Sequence, residues 1–229
     1  LSFDKYLGAG FFDPTLGGDV LTYQNLFWFY SHPAVYVIFL PFFTILMEIF
    51  ATFAKNSIFN YKVTIYGGIV LLVLLSGEVW MHHMYVSGMP DWLRVIQMIT
   101  TLWISIPVGL LMISLLGTLY KGSITYELPM VYAVGTAFIF LIGGLTGIPL
   151  GVLSLDVFLT DTYYVVGHFH YVMALTGTMA IFAGVYYWFP KMTGRMFDAT
   201  WGLIGFGFTF VGANIAFWTM MAVGVREGL

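Results

Sequence analysis

Residues 128–153 read LPMVYAVGTAFIFLIGGLTGIPLGVL, an apolar stretch that contains no Asp, Glu, Lys or Arg. A helix needs about 20 predominantly apolar residues to cross the hydrocarbon core of a bilayer. Within that core an isolated segment satisfies its backbone hydrogen bonds by forming a helix. The stretch therefore predicts a transmembrane helix.

Five further stretches of the same kind occupy most of the chain, at residues 23–53, 63–85, 92–119, 163–189 and 200–223. Together the six predict an all-α fold: a polytopic transmembrane helix bundle of about six spans. We expect one membrane domain over residues 1–229, with an outer-side loop at 1–22 and the six helices within 23–223. The first residue is not Met and the chain stops just past a span, which predicts a piece of a longer or split subunit.

The composition excludes several classes of protein. The chain is 60% hydrophobic and 8% charged, whereas soluble domains are about 45–50% apolar and about 25% charged. A soluble enzyme and a disordered chain are both excluded. A net charge of −3 offers no basic surface for nucleic acid. The absence of cysteine from the sequence excludes iron–sulfur clusters, thiolate zinc sites and Cys nucleophiles.

The basic residues of the connectors predict the orientation in the membrane. The connectors after the first, third and fifth spans carry Lys55, Lys62, Lys121, Lys191 and Arg195. The opposite side carries only Lys5, Arg94 and Arg226. The positive-inside rule places the first set in the cytoplasm or the mitochondrial matrix.

All five histidines are predicted to lie at one depth. His32 lies early in the first span, His82 and His83 end the second, and His168 and His170 lie near the start of the fifth. At about 1.5 Å rise per residue, all fall in roughly the outer third of the bilayer. Intramembrane polar side chains usually face the bundle interior, and imidazole is the commonest neutral metal ligand. One such His is as often structural, but five at one depth favour metal binding.

The spacing of the histidines separates them into sites. His168 and His170 point about 200° apart on a helix, so each can hold a different large cofactor such as haem. His82 and His83 are adjacent and can converge on one ion. With His32 they form a three-imidazole set that suits copper, zinc or iron.

Three other side chains within the predicted spans are candidates for function. Tyr36 follows His32 by four residues and lies on the same helix face, so its phenol can reach a ligand bound at the metal; the alternative is an interfacial Tyr. Glu48 and Glu78 lie within predicted spans, and Glu78 precedes His82 by four residues. A carboxyl group at such a depth is a candidate for a proton role.

Several stretches around these residues form a highly specific pattern. They are residues 17–19 (GGD), 23–36 (YQNLFWFYSHPAVY), 80–84 (WMHHM), 143–147 (GGLTG), 154–156 (SLD) and 161–171 (DTYYVVGHFHY). In these motifs the chain resembles subunit I of the haem–copper terminal oxidases, the cytochrome c oxidase group, over almost its whole length. The resemblance implies that the chain corresponds to about the sixth to eleventh helices of a twelve-helix core.

The resemblance also implies the cofactors and their ligands. His32, His82 and His83 would bind copper, named copper B in this family. His168 would be the axial ligand of a high-spin haem, and His170 one axial ligand of a low-spin haem whose second ligand belongs to an earlier helix. The implied reaction is the reduction of dioxygen to water, coupled to proton translocation.

The resemblance implies roles for residues of the first span as well. Tyr36 would be the catalytic Tyr that is covalently linked to His32 in mature family members. Many members carry a Glu at the position of Ala34, as the end of a proton path. The pair Tyr30 and Ser31 resembles the subtype in which a Tyr–Ser pair replaces that Glu.

Three further positions depart from the family pattern. Val108 and Leu111 stand where the family usually has the Thr and Lys of a second proton path. Thr160 stands where a His usually precedes Asp161, and that pair helps to bind magnesium at the outer surface. Of the implied magnesium site, Asp161 alone is retained.

The resemblance implies partners and a location. The partners are the remainder of subunit I, a subunit II that bears the electron-accepting site, a subunit III, cytochrome c or quinol as the donor, and the lipid bilayer, with no nucleic acid. The implied location is an energy-transducing membrane, either the prokaryotic plasma membrane or the mitochondrial inner membrane.

Other functions remain open from the sequence. A nitric oxide reductase of the same superfamily usually has a non-haem iron near a Glu and lacks the pair formed here by His32 and Tyr36. A haem-binding electron carrier without oxygen chemistry would leave no three-His set. A secondary transporter would have broken helices at the midplane, and the five histidines would have no explanation.

Overall fold

The chain is helical throughout its structured parts. A computed structural model describes residues 2–228, within which no strand occurs; Leu1 and Leu229 lie outside the described residues. In chain order the helices are α1 (Ser2–Leu7), α2 (Val20–Ala54), α3 (Val63–Ser76), α4 (Asp91–Leu119), α5 (Leu128–Gly151), α6 (Leu153–Leu159), α7 (Tyr163–Thr193) and α8 (Ala199–Gly228). Five of them, α2, α4, α5, α7 and α8, are long and apolar enough to cross a membrane. The all-α membrane bundle expected from the sequence is confirmed.

The second predicted span differs most from its expected form. Its helix α3 ends at Ser76, and the first part of α3, Val63–Val70, is π-helical. A turn at Gly77 follows, and a 3₁₀ segment, Val79–Met84, then carries His82 and His83. Glycine is a poor helix former, so the helix breaks where this residue interrupts the apolar run. One continuous helix over 63–85 is therefore the wrong description, and Glu78 lies exposed in the turn, not one helical turn from His82.

The segment before the first span is more structured than a loop. The predicted outer loop 1–22 contains α1, a 3₁₀ turn at Pro14–Leu16 and the first turn of α2. Asp19 caps α2, because its carboxylate accepts hydrogen bonds from the Leu21 amide at 2.9 Å and the Thr22 hydroxyl at 2.7 Å. Such a cap satisfies amide groups that would otherwise lack partners at a helix start.

The centre of the bundle is where α2, α5 and α7 pack together. Phe39 of α2 stacks on Phe140 of α5 with ring centroids 4.6 Å apart. Small buried residues on the facing helices allow this close approach, as is usual between membrane helices. They are Ala133, Ala137 and Gly143 on α5, and Gly177, Ala180, Ala183 and Gly184 on α7.

The connectors after α2 and α4 meet at one end of the bundle. The Thr125 amide donates to the Phe53 carbonyl at 2.9 Å, and the Asn56 side chain donates to the Thr118 carbonyl at 3.2 Å. Both connectors carry lysines of the set assigned to the inner side. The packing of the connectors agrees with the alternation of sides that the charges predict.

Candidate metal centre

Three imidazoles from two elements meet beside the N-terminal half of α2 (Val20–Ala54). Nδ1 of His32 on α2 lies 3.0 Å from Nε2 of His83, and Nε2 of His82 lies 3.1 Å from that same atom. One nitrogen from each of the three lies within 4.8 Å of the others. With metal–nitrogen bonds of about 2.0 Å, the two pairs of nitrogens that lie 3.0 and 3.1 Å apart subtend angles of about 95–105° at a central ion. The spacing fits one metal ion held by three histidines.

Neighbouring side chains hold two of these rings in place. Nδ1 of His82 lies 3.1 Å from the Thr101 hydroxyl on α4, which leaves Nε2 of His82 for the metal. The Trp28 ring stacks on His83 with centroids 3.7 Å apart and planes 5° apart. The hydroxyl and the stacked ring restrict the orientation of these two imidazoles. Trp28 precedes His32 by four residues, a spacing that indicates a shared helix face. No pattern in the sequence indicates that Thr101 contacts His82.

Tyr36 lies beside the three-histidine cluster. Its ring centroid is 4.9 Å from that of His32 at an interplanar angle of 66°. Nε2 of His32 is buried and has no hydrogen-bond partner among residues 2–228. His32 thus presents Nδ1 to the other imidazoles and keeps its second nitrogen unused by any described side chain.

His168 on α7 faces the glycine-rich motif of α5. Its Nδ1 lies 3.0 Å from the Gly143 carbonyl and 3.2 Å from the Thr146 hydroxyl. At Gly147 a Cβ atom would come 2.7 Å from Cε1 of His168, so only glycine leaves room for the ring there. Because Nδ1–H donates to the carbonyl, Nε2 stays unprotonated, which is the form that binds iron.

His170 faces a different helix. Its ring lies 5.0 Å from the Phe217 ring on α8, and its Nδ1 lies 2.8 Å from the Val166 carbonyl. A π-helical stretch, His170–Leu175, begins at this residue. The two histidines of α7 therefore lie in separate environments, and each has its Nδ1 engaged and its Nε2 available for a metal.

The other predicted site residues lie at exposed or half-buried positions. Tyr30 is 71% exposed, and Ser31 is half-buried beside it. Asp161 is exposed, with its backbone in the left-handed region at φ 62°. Among the described residues, the three-histidine cluster is the only group of three or more His, Cys, Asp or Glu side chains that could hold an ion, so Asp161 belongs to no such group.

A buried carboxyl group lies on α6, outside the spanning helices. Asp156 is only 5% exposed. Burial raises the pKa of its carboxyl to about 7, and the charge of Asp161 adds to this effect. The residue belongs to the motif at 154–156, but nothing in the sequence indicated that it would be buried.

We expect Asp156→Asn to change how the stability of the full subunit depends on pH. The carboxyl ionises near pH 4 in an unfolded chain but keeps its proton to about pH 7 in the folded protein. The folded state binds more protons between these values, so wild-type stability falls as pH rises across them. The Asn variant lacks this slope. The Tm of the variant minus the Tm of the wild type should therefore grow from about pH 4 to about pH 7 and then level off. Thermal unfolding at several pH values measures the Tm difference, and Ser154→Ala is the control. A Tm difference that does not change with pH contradicts the prediction.

A membrane helix bundle with a partly buried three-imidazole cluster defines a metal-binding membrane protein. The family model for Cytochrome C and Quinol oxidase polypeptide I matches residues 1–229, and the chain belongs to this family. Membership implies haem and copper as cofactors and places the protein as an integral component of a respiratory membrane. The resemblance inferred from the motifs is thereby confirmed.

Curated relatives agree with this assignment. The chain is 46% identical to cytochrome c oxidase subunit 1 of Synechocystis sp. over 98% of its length, and 42% identical to that of Thermostichus vulcanus over 99%. It is 43% identical to the same subunit of Cereibacter sphaeroides over 99%. The chain spans about two fifths of the length of these relatives: it covers 41%, 41% and 40% of them, respectively. They lend no support to a nitric oxide reductase, an electron carrier or a transporter.

Proposed function

We propose that this chain is part of the catalytic subunit of a terminal respiratory oxidase that reduces dioxygen to water and translocates protons. The observation that carries the proposal is the convergence of His32, His82 and His83, with Tyr36 beside them. Neither an electron carrier nor a transporter needs three imidazoles whose nitrogens lie 3.0–3.1 Å apart.

The hydrogen bonds of the five histidines support one ligand assignment. Nδ1 of His32 and Nε2 of His82 and His83 bind copper, because these are the three atoms that face one another. Nε2 of His168 binds the high-spin haem and Nε2 of His170 the low-spin haem, because Nδ1 of each ring is already engaged by a backbone carbonyl. When bound, these groups supply the electron transfers that dioxygen reduction needs.

Tyr36 is the protein group that takes part in the reaction. Its phenol can give a proton and an electron together, so one more equivalent is available beside the metals. A bond between His32 Nε2 and a Tyr36 ring carbon removes one hydrogen from each residue, and dioxygen is the oxidant that accepts them. The buried, unpartnered Nε2 of His32 supports such a bond.

Proton delivery is assigned to the Tyr30–Ser31 side of α2, as in the Tyr–Ser subtype. Hydroxyl groups joined by ordered water can pass protons. Val108 and Leu111 of α4 carry no hydroxyl group that could pass a proton. Leu111 is fully buried, and a Cβ at Gly68 would come within 2.5 Å of its side chain, so this contact is closely packed and apolar.

The proposal includes partners and one further ion. The remainder of subunit I supplies the second ligand of the low-spin haem, and subunit II bears the site that accepts electrons from cytochrome c or quinol. Subunit III completes the complex in the bilayer. Asp161 offers one carboxylate for magnesium at the outer surface, where φ 62° holds it in an exposed turn.

Metal analysis and carbon monoxide binding test the proposal on the purified complete complex. We expect copper together with haem, and carbon monoxide that binds the reduced high-spin iron and is released by light. Protein without copper that contains only six-coordinate haem would overturn the proposal and favour an electron carrier.

A further inference from the structure

A row of polar side chains on α4 leads outward from the metal centre. Arg94, Gln97 and Thr101 follow one another at spacings of three and four residues, so they share one face of the helix. Thr101 ends the row at the metal centre, since its hydroxyl pairs with Nδ1 of His82 at 3.1 Å. Arg94 lies near the outer end of the helix, which begins at Asp91.

Two buried atoms of this row have no hydrogen-bond partner among residues 2–228. They are the amide oxygen of Gln97 and Nε of Arg94. Gln97 is only 7% exposed, so its amide oxygen does not reach bulk solvent. Nearly all buried polar atoms in proteins pair with protein or with ordered water. Water suits both atoms chemically, because it can donate to the Gln97 oxygen and accept from the Arg94 N–H.

We propose that this face of α4 binds ordered water and conducts product water from the metal centre to the outer surface. The inference rests on the proposed function, because reduction of one dioxygen by four electrons and four protons yields two water molecules that must leave. A buried water needs two to four polar partners. The row supplies an acceptor on Gln97, a donor on Arg94 and a hydroxyl on Thr101.

The charge of Arg94 makes this a route for neutral water and not for protons. A fixed cation beside a line of water raises the energy of hydronium passing it, which is how an Arg helps water pores to exclude protons. Asp91 lies 3.3 Å from Nη1 of Arg94, but its side chain is 96% exposed. Solvent screens so exposed a carboxylate, and the positive charge of Arg94 therefore remains effective toward the buried side.

The test is a high-resolution cryo-EM map of the complete oxidase, for the wild type and for Gln97→Leu. In the wild type we expect water density within about 3.2 Å of the Gln97 amide oxygen. Gln97→Leu should lose this density, retain the contact between Thr101 and His82, and slow oxygen consumption about two- to tenfold, the effect of one lost buried hydrogen bond. Ile96→Leu, an adjacent change at a residue that faces outward, should alter neither.

Arg94→Gln tests the charge separately. It should keep the water but lower the number of protons retained across the membrane per electron, because protons can then leak back along the row. A proton yield equal to the wild type overturns the role of the charge.

Other outcomes decide the remainder of the proposal. Pairing of Gln97 and Arg94 with side chains from the rest of the complex, without water, overturns the water site, and the wild-type map alone shows this. An active oxidase without the water overturns this inference and leaves the proposed function intact. A complex that holds the water but neither copper nor oxygen chemistry overturns the proposed function and, with it, the role in product release.

Discussion

His83→Ala is expected to abolish oxygen consumption and to leave the low-spin haem spectrum unchanged. His83 lies between the other two imidazoles, with Nε2 at 3.0 Å from His32 and 3.1 Å from His82. Its loss removes one of the three imidazoles that we propose as copper ligands, and the ring on which Trp28 stacks. Changes outside the ligand shell already cost about 10–100-fold in metal affinity or activity, so loss of a ligand should cost at least about 100-fold.

The measurement combines oxygen uptake, copper content and the reduced absorption spectrum of the complete complex. Copper should fall with activity. The low-spin haem, for which we propose His170 as a ligand, should stay, because the His170 ring lies against Phe217 on α8. Met81→Leu in the same 3₁₀ segment is the control and should retain copper. Loss of both haem spectra from a folded complex would contradict separate sites on α7.

Tyr36→Phe is expected to lower turnover severely with every cofactor in place. The substitution keeps the aromatic ring, 4.9 Å from that of His32, and removes only the phenol oxygen. Proton transfer by a positioned side chain typically contributes about 10²–10⁴-fold, so oxygen consumption should fall by that range. Copper and both haem spectra should stay, because Tyr36 is not a ligand.

Peptide mass spectrometry supplies a second measurement for Tyr36. The wild type should yield a peptide containing both His32 and Tyr36 that is lighter by two hydrogens than its sequence requires, and Tyr36→Phe should show no such loss. Tyr66→Phe, at an exposed position on α3, is the matched control and should keep full activity. Wild-type oxygen consumption by Tyr36→Phe would remove Tyr36 from the reaction.

Much of the bundle could be predicted from the long apolar runs in the sequence. The predicted spans 23–53 and 163–189 correspond to α2 (Val20–Ala54) and α7 (Tyr163–Thr193), because long apolar runs have no other stable form in a bilayer. The break after Ser76 was not predicted. Hydropathy does not register a helix that stops at one glycine and continues as a 3₁₀ segment, although this change of backbone directs His82 and His83 toward α2.

Part of the candidate centre could also be predicted. Equal depth and spacing grouped His32, His82 and His83, and separated His168 from His170. The partners that orient these rings could not, since Thr101 is 19 residues from His82 and Thr146 is 22 from His168. Contacts over such separations depend on how whole helices pack, which local pattern does not encode.

The amino-acid sequence alone determined that this protein lies in a membrane and which family it resembles, and it predicted one depth for its histidines. These properties depend on residue type and position along each helix. Only the tertiary structure decided which nitrogen of each imidazole faces its neighbours, that Asp156 is buried, and that Gln97 and Arg94 form a row leading away from His82. The reason is physical: hydrogen-bond direction and burial arise when separate helices pack, and no single helix contains that information.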